Sequence, residues 1–400
     1  MTTERPDEAG TGTGTAGTGG GAPGAARRQG PPGGLTLPAG APAGAGLTAL
    51  RSHNTALVLD LLRTAGAQGI SRVELAERTG LTPQAVSKIV GRLRADGTVA
   101  EAGRRASTGG KPRTVLGLVP SAAHAVGLHL DRDELTAVLL DLSGTPVASR
   151  RGPLDLGAGA GRVIAAAADA VGALLGDAAA RVRADGRPPR VLGAGVAMPG
   201  PLDHRSGVPG RVTGFPEWEG HPLREELAAR LGLPVVLDKD TNAAALGLAL
   251  RGPGDSFAYL HLGTGLGAGL VLGGAPYRGS RTGAGEFGHQ VVRLDGPVCG
   301  CGGRGCLEAL CLAAVGRGDL PEAARVLGTG AANLVALLDI DRVLLGGRTV
   351  AAAPEVFTAG VARAVAARGP VPVAAVDAGA DTVAEGAAHL VLAPLFGRPA

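Results

Sequence analysis

The sequence predicts an α/β protein in which a small helix-rich module precedes a larger body, and three observations lead to this prediction. The first 46 residues are almost entirely Gly, Ala, Pro and Thr. Two capped amphipathic helices and two strand-like stretches follow, up to about residue 119. From Ala125 onward, short apolar strands alternate with helical patterns, which is the order of elements in α/β folds.

The beginning of the chain, residues 1–46, is predicted to be a disordered tail. Its composition buries too little apolar surface to offset the entropy lost on ordering. A cleaved targeting signal fits poorly, because the segment lacks a basic start followed by an unbroken apolar run. Since no run of 18 apolar residues occurs later, we expect no membrane span and a cytoplasmic location.

Charge is distributed unevenly along the chain, whose formal net charge is +4. Residues 51–113 carry 11 Lys and Arg against 5 Asp and Glu, whereas the first 50 residues are balanced and the remainder is slightly acidic. A basic module ahead of a slightly acidic body indicates a polyanionic partner for the module alone.

The stretch SRVELAERTGLTPQAVSKIV carries the signals of two consecutive helices. Ser71 and Glu74 form a capping-box pattern, and Gly80 stands where a helix ends in the left-handed conformation. Thr82 can cap a second helix whose first residue is Pro83. The short link between the two helices predicts a helix-turn-helix.

The second of these helices is amphipathic. Its apolar positions recur at helical spacing, at Val86, Ile89, Val90 and Leu93. The opposite face is polar and basic, as expected of a helix that enters the major groove of DNA. An earlier helix near residues 50–64 is expected to complete the core with Leu57, Val58, Leu61 and Leu62.

A hairpin with a basic tip is predicted next, from TVAEAG and RTVLGLV joined by RRASTGGKP. This wing completes a winged helix-turn-helix. The candidate DNA-binding residues are Arg72, Thr82, Gln84, Ser87, Lys88, Arg92, Arg105, Lys111 and Arg113. The alternative is a three-helix protein-binding module with a solvated basic face, but the charge, the caps and the wing agree on DNA.

In the body, the polar and glycine-rich segments stand at strand ends, where α/β proteins bind ligands. VLGAGVAMPGPLD runs from a buried strand into a loop, and PVVLDKDTNAAALGLAL is a strand, a polar loop and a helix. AYLHLGTGLGAGLVLGG predicts two strands around a glycine-rich turn, and RVLLGG predicts a strand that meets a glycine pair.

These stretches resemble the ROK family, named for repressors, open reading frames and sugar kinases. The motifs are GVAMPGPLD, LDKDTNAAALG, LGTGLGAGLVLGG, GAGEFGHQVV, CGCGGRGCLE and LLGG, in the family's order. LRSHN, SRVELAERTGLT and GGKPR resemble its transcriptional-regulator branch, that of the N-acetylglucosamine and xylose repressors. The resemblance covers about residues 48–400 and implies a two-lobed, actin-like (ribonuclease H-like) ATPase-fold body with a sugar in the cleft. We therefore expect a tail at 1–46, a winged helix-turn-helix at 47–119 and a sugar-kinase-like effector domain at 120–400.

The stretch VCGCGGRGC holds three of the four cysteines of the chain. The resemblance implies that His289, Cys299, Cys301 and Cys306 bind one structural zinc. Four N/S ligands with no open position suit such a zinc, and glycines between them let the backbone fold around an ion. An iron–sulfur cluster more often uses four cysteines, and a disulfide is unusual in a cytosolic chain. Cys311 is expected to be an ordinary buried thiol.

The resemblance also implies a set of effector-binding residues around the zinc motif. Glu286 and Glu308 would accept hydrogen bonds from sugar hydroxyls, and His289 would face the sugar with the ring nitrogen that does not bind zinc. Lys239 stands where the family usually has Asn, just before Asp240. It either pairs with Asp238 or Asp240 and fills the site, or binds an anionic group of the ligand.

Whether the chain is an enzyme depends on the other end of the cleft. Asp240 matches the catalytic base of the family's kinases and is here a vestigial base candidate. GLHLDRDEL, however, replaces their Asp-x-Gly-Gly-Thr phosphate loop, so that His129 stands in place of the Asp and Asp131 and Arg132 in place of the glycines. Phosphoryl transfer depends on positioning the nucleotide, so we expect no kinase activity. Gly263, Thr264, Gly265, Gly346 and Gly347 then count as inherited turns.

The sequence therefore predicts a sugar-responsive transcriptional regulator, a repressor of carbohydrate genes that acts as a homodimer or homotetramer on double-stranded operator DNA. A sugar kinase with an added DNA-binding arm is the alternative. A redox or metal sensor that uses the cysteine loop is a third hypothesis, and loss of DNA binding on mild oxidation would favour it.

Overall fold

The computed structural model of the chain describes residues 47–105, 113–182, 189–252, 255–377 and 381–398. The predicted tail and the tip of the wing lie outside these residues. The first part is a helical module with a three-stranded sheet in the order β1-β3-β2. Its elements are α1 (Leu47–Ala65), β1 (Ile70–Ser71), α2 (Arg72–Thr79), α3 (Pro83–Ala95), β2 (Val99–Arg105) and β3 (Arg113–Leu118).

The local signals of this module act as the sequence predicts. The Ser71 side chain accepts from the Glu74 amide while the Glu74 side chain accepts from the Ser71 amide, and Gly80 ends α2 at φ 68°. Thr82 caps α3, whose predicted apolar stripe is buried. The prediction for α1 was wrong at Leu57, which is 37% exposed and lies off the core face, and Leu61 is only half-buried. Ala56 and Leu59 are buried there, beside Val58 and Leu62.

A first lobe follows, built on a five-stranded mixed sheet in the order β10-β7-β4-β5-β6. The strands β4, β7 and β10 run parallel, and β5 and β6 add an antiparallel edge. Its elements are β4 (His124–Leu130), β5 (Glu134–Asp141), β6 (Pro146–Pro153), α4 (Ala160–Val182), β7 (Val191–Met198), β8 (Leu202–Asp203), β9 (Val208–Pro209), α5 (Leu223–Leu231) and β10 (Val235–Lys239).

Helix α6 (Asp240–Arg251) leads into a second lobe with a five-stranded sheet in the order β13-β12-β11-β14-β15. Its core is formed by apolar side chains of the sheet and of the helices that cover it. The elements are β11 (Phe257–Leu262), β12 (Leu266–Leu272), β13 (Ala275–Pro276), α7 (Leu307–Gly316), α8 (Leu320–Leu338), β14 (Arg342–Gly346), α9 (Arg348–Ala352), α10 (Pro354–Val365) and β15 (Val373–Ala375). The chain then returns to the first sheet with α11 (Thr382–Leu392).

The two lobes meet through α6 and α11, which pack against each other. Helix α11 lies on the first sheet and α6 on the second. Glycines allow this close approach: a Cβ on Gly195 would lie 1.7 Å from the Ala387 carbonyl oxygen, and one on Gly386 would lie 2.0 Å from that of Ala243. This two-lobed α/β body behind a winged helix-turn-helix confirms the predicted fold class.

One described helix, α4, is long and apolar enough to cross a membrane by length and composition, over Ala160–Ala180. The expectation of no membrane span rested on unbroken apolar runs, and scattered charges interrupt those of this helix. Val163, Val171 and Leu174 on this helix are buried in the core of the first lobe. Helix α4 is therefore packed as a core helix of the first lobe.

Candidate functional site

The predicted metal ligands come together in the structure. The ligand atoms of His289, Cys299, Cys301 and Cys306 all lie within 4.8 Å of one another. Cys299 Sγ is 3.7 Å from His289 Nδ1, and Cys301 Sγ is 3.8 Å from Cys306 Sγ. A tetrahedral zinc with Zn–S bonds of about 2.3 Å separates its sulfur ligands by about 3.8 Å. The donor set and its spacing therefore fit a closed, structural zinc site.

Two glycines shape the loop that carries the cysteines. Gly302 and Gly305 have φ values of 89° and 67°, a region that side chains other than Gly disfavour. At Gly305 a Cβ would also lie 1.6 Å from the Arg293 carbonyl oxygen. The loop closes through a 2.8 Å hydrogen bond from the Cys299 amide to the Gly303 carbonyl.

The thiols differ in their surroundings. Cys299 and Cys306 are buried, whereas Cys301 is exposed. Burial raises the pKa of the Cys306 thiol to about 12, with a smaller contribution from Cys301 beside it. A nearby divalent cation would favour the thiolate forms that ligate metals. Cys311 lies outside the cluster and is fully buried, with its Sγ 3.6 Å from the Ala323 carbonyl, as predicted for an ordinary thiol.

The five predicted effector residues line one cleft between the lobes, next to the metal cluster: Lys239, Asp240, Glu286, His289 and Glu308. The end of β10 and the start of α6 supply the first two of these residues. Glu286 immediately precedes a short 3-10 helix, His289 is the last residue of that helix, and Glu308 lies in the first turn of α7. The cleft measures about 80 Å³, which is small beside the several hundred Å³ usual for ligand pockets.

Lys239 fills part of this cleft. Its Nζ donates to the Ala284 carbonyl at 2.7 Å and to Glu286 Oε1 at 3.1 Å, and the residue is only 3% exposed. The prediction that Lys239 pairs with Asp238 or Asp240 was therefore wrong, because its partner is Glu286. The long side chain extends over Gly200, where a Cβ would lie 2.8 Å from Lys239 Cδ, and so reaches the carboxylate across the cleft.

Asp238 instead pairs with Arg278, a residue that the sequence analysis did not single out. Arg278 Nε donates to Asp238 Oδ2 at 2.7 Å, and both residues are buried. Asp238 Oδ1 accepts from Asn242 Nδ2 at 3.0 Å and from the Lys239 amide at 2.7 Å. This buried network fixes the point where β10 becomes α6. No local pattern marks Arg278, because the pair spans 40 positions of the chain.

Asp240 and Glu308 present carboxylates to the cleft. Burial raises the pKa of Asp240 to about 7, against the lowering effect of the neighbouring Lys239. Glu308 Oε2 accepts from the Leu266 amide at 2.9 Å, which orients the carboxylate. Both groups can accept hydrogen bonds from ligand hydroxyls when ionised, and protonated Asp240 can also donate one.

At the far end of the cleft lies the turn after β4, which stands in place of the phosphate loop of the kinases. Arg348, which follows Gly347, donates to Asp133 Oδ2 at 3.0 Å and lies 3.4 Å from Asp131 Oδ2. Thr264 Oγ1 donates to Asp131 Oδ1 at 3.2 Å. These contacts link the two lobes and hold the carboxylates of Asp131 and Asp133 against Arg348.

A larger cavity of about 510 Å³ lies beside these ion pairs, lined in part by His129, Tyr259 and His261. Burial lowers the pKa of His129 to about 4 and also lowers that of His261. His129 Nε2 is buried without a hydrogen-bond partner among the described residues, while Tyr259 Oη lies 2.9 Å from His261 Nδ1. The lowered pKa values favour the neutral imidazole form at both positions.

The predicted DNA-binding residues of the described chain lie on the surface of the winged module. Thr82, Gln84, Ser87, Lys88, Arg92 and Arg113 are exposed, and Arg72 is half-buried. Arg105 is the last residue of β2, and Lys111 lies outside the described residues. The outer face of α3 thus combines polar and basic side chains and is exposed.

Two family models match the chain: the ROK family over residues 131–316, and a winged helix-turn-helix DNA-binding model over residues 58–100. A putative xylose repressor of Caldicellulosiruptor sp. (strain Rt8B.4) is 31% identical over 245 residues, covering 60% of this chain and 59% of that protein. The matched region thus spans about 59% of that relative.

Two solved structures are similar. A ROK family transcriptional regulator, a homologue of the E. coli MLC protein, superposes with a TM-score of 0.68 at 21% identity, over 87% of this chain and 98% of that one. This likeness concerns the fold alone. A ROK hexokinase from Thermus thermophilus has a TM-score of 0.54 at 32% identity, over 66% of this chain and 96% of that one.

Proposed function

The chain belongs to the ROK family, and on that premise we propose that it is a sugar-responsive transcriptional regulator, a repressor of carbohydrate-utilisation genes. The observation that carries the proposal is the exposed polar and basic face of α3, on a winged helix-turn-helix joined to a body with a sugar-type cleft. Repressors among its relatives and a regulator with the same fold support it.

DNA is bound, in this proposal, through the N-terminal half of α3. Gln84, Ser87 and Lys88 are exposed there and would meet base edges in the major groove. Arg92 and Arg113 are exposed beside them and would contact phosphates. We assign residues 47–119 to this DNA-binding domain and 120–400 to the effector domain.

The effector is a sugar or sugar phosphate that enters the cleft. Glu308 and Asp240 offer acceptors for ligand hydroxyls. Glu286 can also accept one, either when its hydrogen bond from Lys239 breaks or alongside that bond. A ligand shifts DNA affinity only by its differential affinity for two conformations. We propose that it closes the lobes around α6 and α11, moves the paired winged helices apart and so releases the operator.

The metal cluster supports this cleft. Zinc held by His289 Nδ1 and the three thiols would fix the ring of His289 with its other nitrogen available to the cleft, and would hold the chain between Glu286 and Glu308 in one shape. The proposed ion is structural, because its ligand set leaves no open position.

Self-association and location complete the proposal. Val291, Leu294 and Val298 expose 52%, 86% and 64% of their surface on the loop that leads to the cysteines, and such side chains are candidates for a contact between copies of the chain. We propose a homodimer or homotetramer in the cytoplasm, an assembly whose paired winged modules would fit a two-fold symmetric operator.

A sugar kinase with a DNA-binding arm is the second candidate, because Asp240 has the position and the raised pKa of a general base and a related protein is a hexokinase. The ion pairs of Arg348 with Asp131 and Asp133 argue against a kinase, because they place carboxylates at the end of the cleft where the family's kinases bind phosphates. A coupled assay with MgATP and glucose, xylose or N-acetylglucosamine separates the two. A regulator should produce no ADP above background, whereas turnover of about 1 per second would establish a kinase.

The DNA-binding part is tested by selecting duplexes from a random library with the full chain. Gln84→Ala should reduce the preference for the selected sequence by about 1–3 kcal/mol. Arg113→Ala should weaken selected and scrambled duplexes alike and flatten the salt dependence. Failure of the wild type to enrich any sequence would contradict the proposal. Loss of binding on mild oxidation, without any sugar effect, would instead favour a redox sensor.

A further inference from the structure

Three helix ends meet where the winged module contacts the body. Arg63, near the end of α1, donates through Nη1 to the Leu250 carbonyl oxygen at 2.9 Å. Leu250 lies in the last turn of α6, whose first residue is Asp240 in the cleft. The last carbonyls of a helix have no partner within it and favour a cation. Arg63 thus completes the end of a body helix from within the DNA-binding module.

The guanidinium of Arg63 is held in place from several sides. Its Nη2 and Nε donate to Asp60 Oδ1 at 2.7 and 3.1 Å, one turn earlier on α1. The Phe396 ring lies 5.3 Å below it, in the short helix that follows α11. Arg398 Nη2 donates to the other oxygen of Asp60 at 3.2 Å. With only 13% of its side chain exposed, Arg63 is a fixed contact and not a mobile surface cation.

The body helices are tied together at the same place. Arg251, the last residue of α6, forms an ion pair with the buried Glu385 of α11. His389, one turn further along α11, is 4% exposed, and neither of its ring nitrogens has a partner among the described residues. A Cβ on Gly247 of α6 would lie 3.5 Å from this ring. The last turn of α6 is therefore tied to the first turn of α11.

Both body helices begin at the interlobe openings. Helix α6 starts at Asp240 in the effector cleft, and α11 starts at Thr382, which lines the larger cavity. A helix of 12 residues such as α6 is about 18 Å long and stiff. A shift of about 1 Å along its axis would stretch the bond at Leu250 beyond hydrogen-bonding distance.

We propose that Arg63 is the positioning residue through which the winged module senses the state of the cleft, by its bond to the end of α6. The signalling role of Arg63 rests on the proposed function, whereas its hydrogen bond to Leu250 is a property of the fold. Cleft closure that moves α6 would break or redirect the bond of Arg63, and α1 would then reorient the recognition helix packed against it.

Hydrogen–deuterium exchange of the full, zinc-loaded chain tests this contact without DNA or sugar. Arg63→Ala should speed exchange in residues 54–65 and in the last turn of α6 by about tenfold or more, while β7 is unchanged. Arg63→Lys, which keeps the charge but loses the fork, should give an intermediate effect. Arg94→Ala, which breaks an ion pair to Glu101 inside the winged module, is the matched control and should leave both segments unchanged.

Transmission from the cleft is tested by Lys239→Ala, which releases the start of α6 from Ala284 and Glu286. When Arg63 is present, Lys239→Ala should alter the exchange rate of residues 54–65. In the Arg63→Ala background, adding Lys239→Ala should leave that rate unchanged. The proposal is overturned if Arg63→Ala changes exchange rates no more than Arg94→Ala does, or if it speeds exchange throughout the chain. It is also overturned if Lys239→Ala leaves exchange in α1 unchanged. Because no operator is used, these results stand apart from success or failure of the proposed regulation.

Discussion

Lys239 Nζ lies 3.1 Å from Glu286 Oε1, so a cation from the first lobe neutralises a carboxylate of the second lobe inside the effector cleft. The pair joins the residue that precedes α6 to the segment that leads into the metal cluster. A ligand must therefore compete with an internal partner before it reaches Glu286.

Replacing this lysine should open the cleft. Lys239→Asn removes the charge and the part of the side chain that crosses the cleft, so Glu286 becomes free to accept ligand hydroxyls. We expect binding of a neutral sugar such as glucose, xylose or N-acetylglucosamine to strengthen at least about tenfold, which is about 1.4 kcal/mol. Calorimetric titration measures it, with the exposed Lys88→Asn as control. Loss of a sugar phosphate ligand in Lys239→Asn would show instead that the lysine recognises an anion.

Metal removal should cost stability. We expect one zinc per chain by elemental analysis of protein purified without chelator. Cys301→Ser should lose the metal and lower the melting temperature, because the free energy of metal binding is part of that of folding. Cys311→Ala removes a thiol that is outside the cluster and should retain the zinc. A metal-free native protein whose melting temperature equals that of the loaded form would contradict this assignment.

The buried pair of Arg278 and Asp238 should matter more than any surface pair. Arg278→Met leaves Asp238 buried without its cation, which should lower the free energy of unfolding by about 3–5 kcal/mol. Arg325→Met breaks an exposed pair with Glu322 and should cost less than about 1 kcal/mol. Urea denaturation followed through Trp218, the single tryptophan, compares the two. Equal costs would show that the network at the start of α6 is not rigid.

Acid should destabilise the protein partly through His389. Burial, aided by Arg251 and Arg63, lowers the pKa of His389 to about 3. Between pH 6.5 and about 3, the unfolded chain binds a proton at this histidine that the folded chain does not. The free energy of unfolding therefore keeps this contribution above pH 6.5 and loses it progressively as the pH falls. One such proton contributes about 1.4 kcal/mol per pH unit. The free energy of unfolding of His389→Leu should therefore depend less steeply on pH between 6 and 4 than that of wild type, whereas the exposed His53→Gln should not differ.

Local rules in the sequence predicted much of this structure. The caps at Ser71 and Thr82, the stripe of α3 and the spacing of the cysteines are all set by residues within a few positions of one another. The contacts of Arg278, Arg348 and Arg63 join residues 40, 215 and 187 positions apart, and no periodicity marks such partners. The error at Leu57 has a similar origin, because the core face of α1 is chosen by what packs on it.

Lys239 shows the limit of a family comparison. Its substitution for Asn was visible in the sequence, and the filled site was one of its two predicted consequences. The partner was not predictable, because the reach of the lysine side chain depends on how the lobes approach each other. Only the three-dimensional arrangement brings Glu286, 47 positions later, within hydrogen-bonding distance.

The central claim, that a sugar in the cleft controls DNA binding, is tested most directly by fluorescence anisotropy. A labelled duplex enriched from the random library is titrated with the full chain at fixed salt, with and without each sugar and sugar phosphate of a panel. We predict that at least one of them weakens DNA binding about tenfold or more in the wild type and has no effect in Glu308→Gln, which keeps an acceptor for the Leu266 amide. If no ligand changes the Kd, or if the change persists in Glu308→Gln, the account is contradicted.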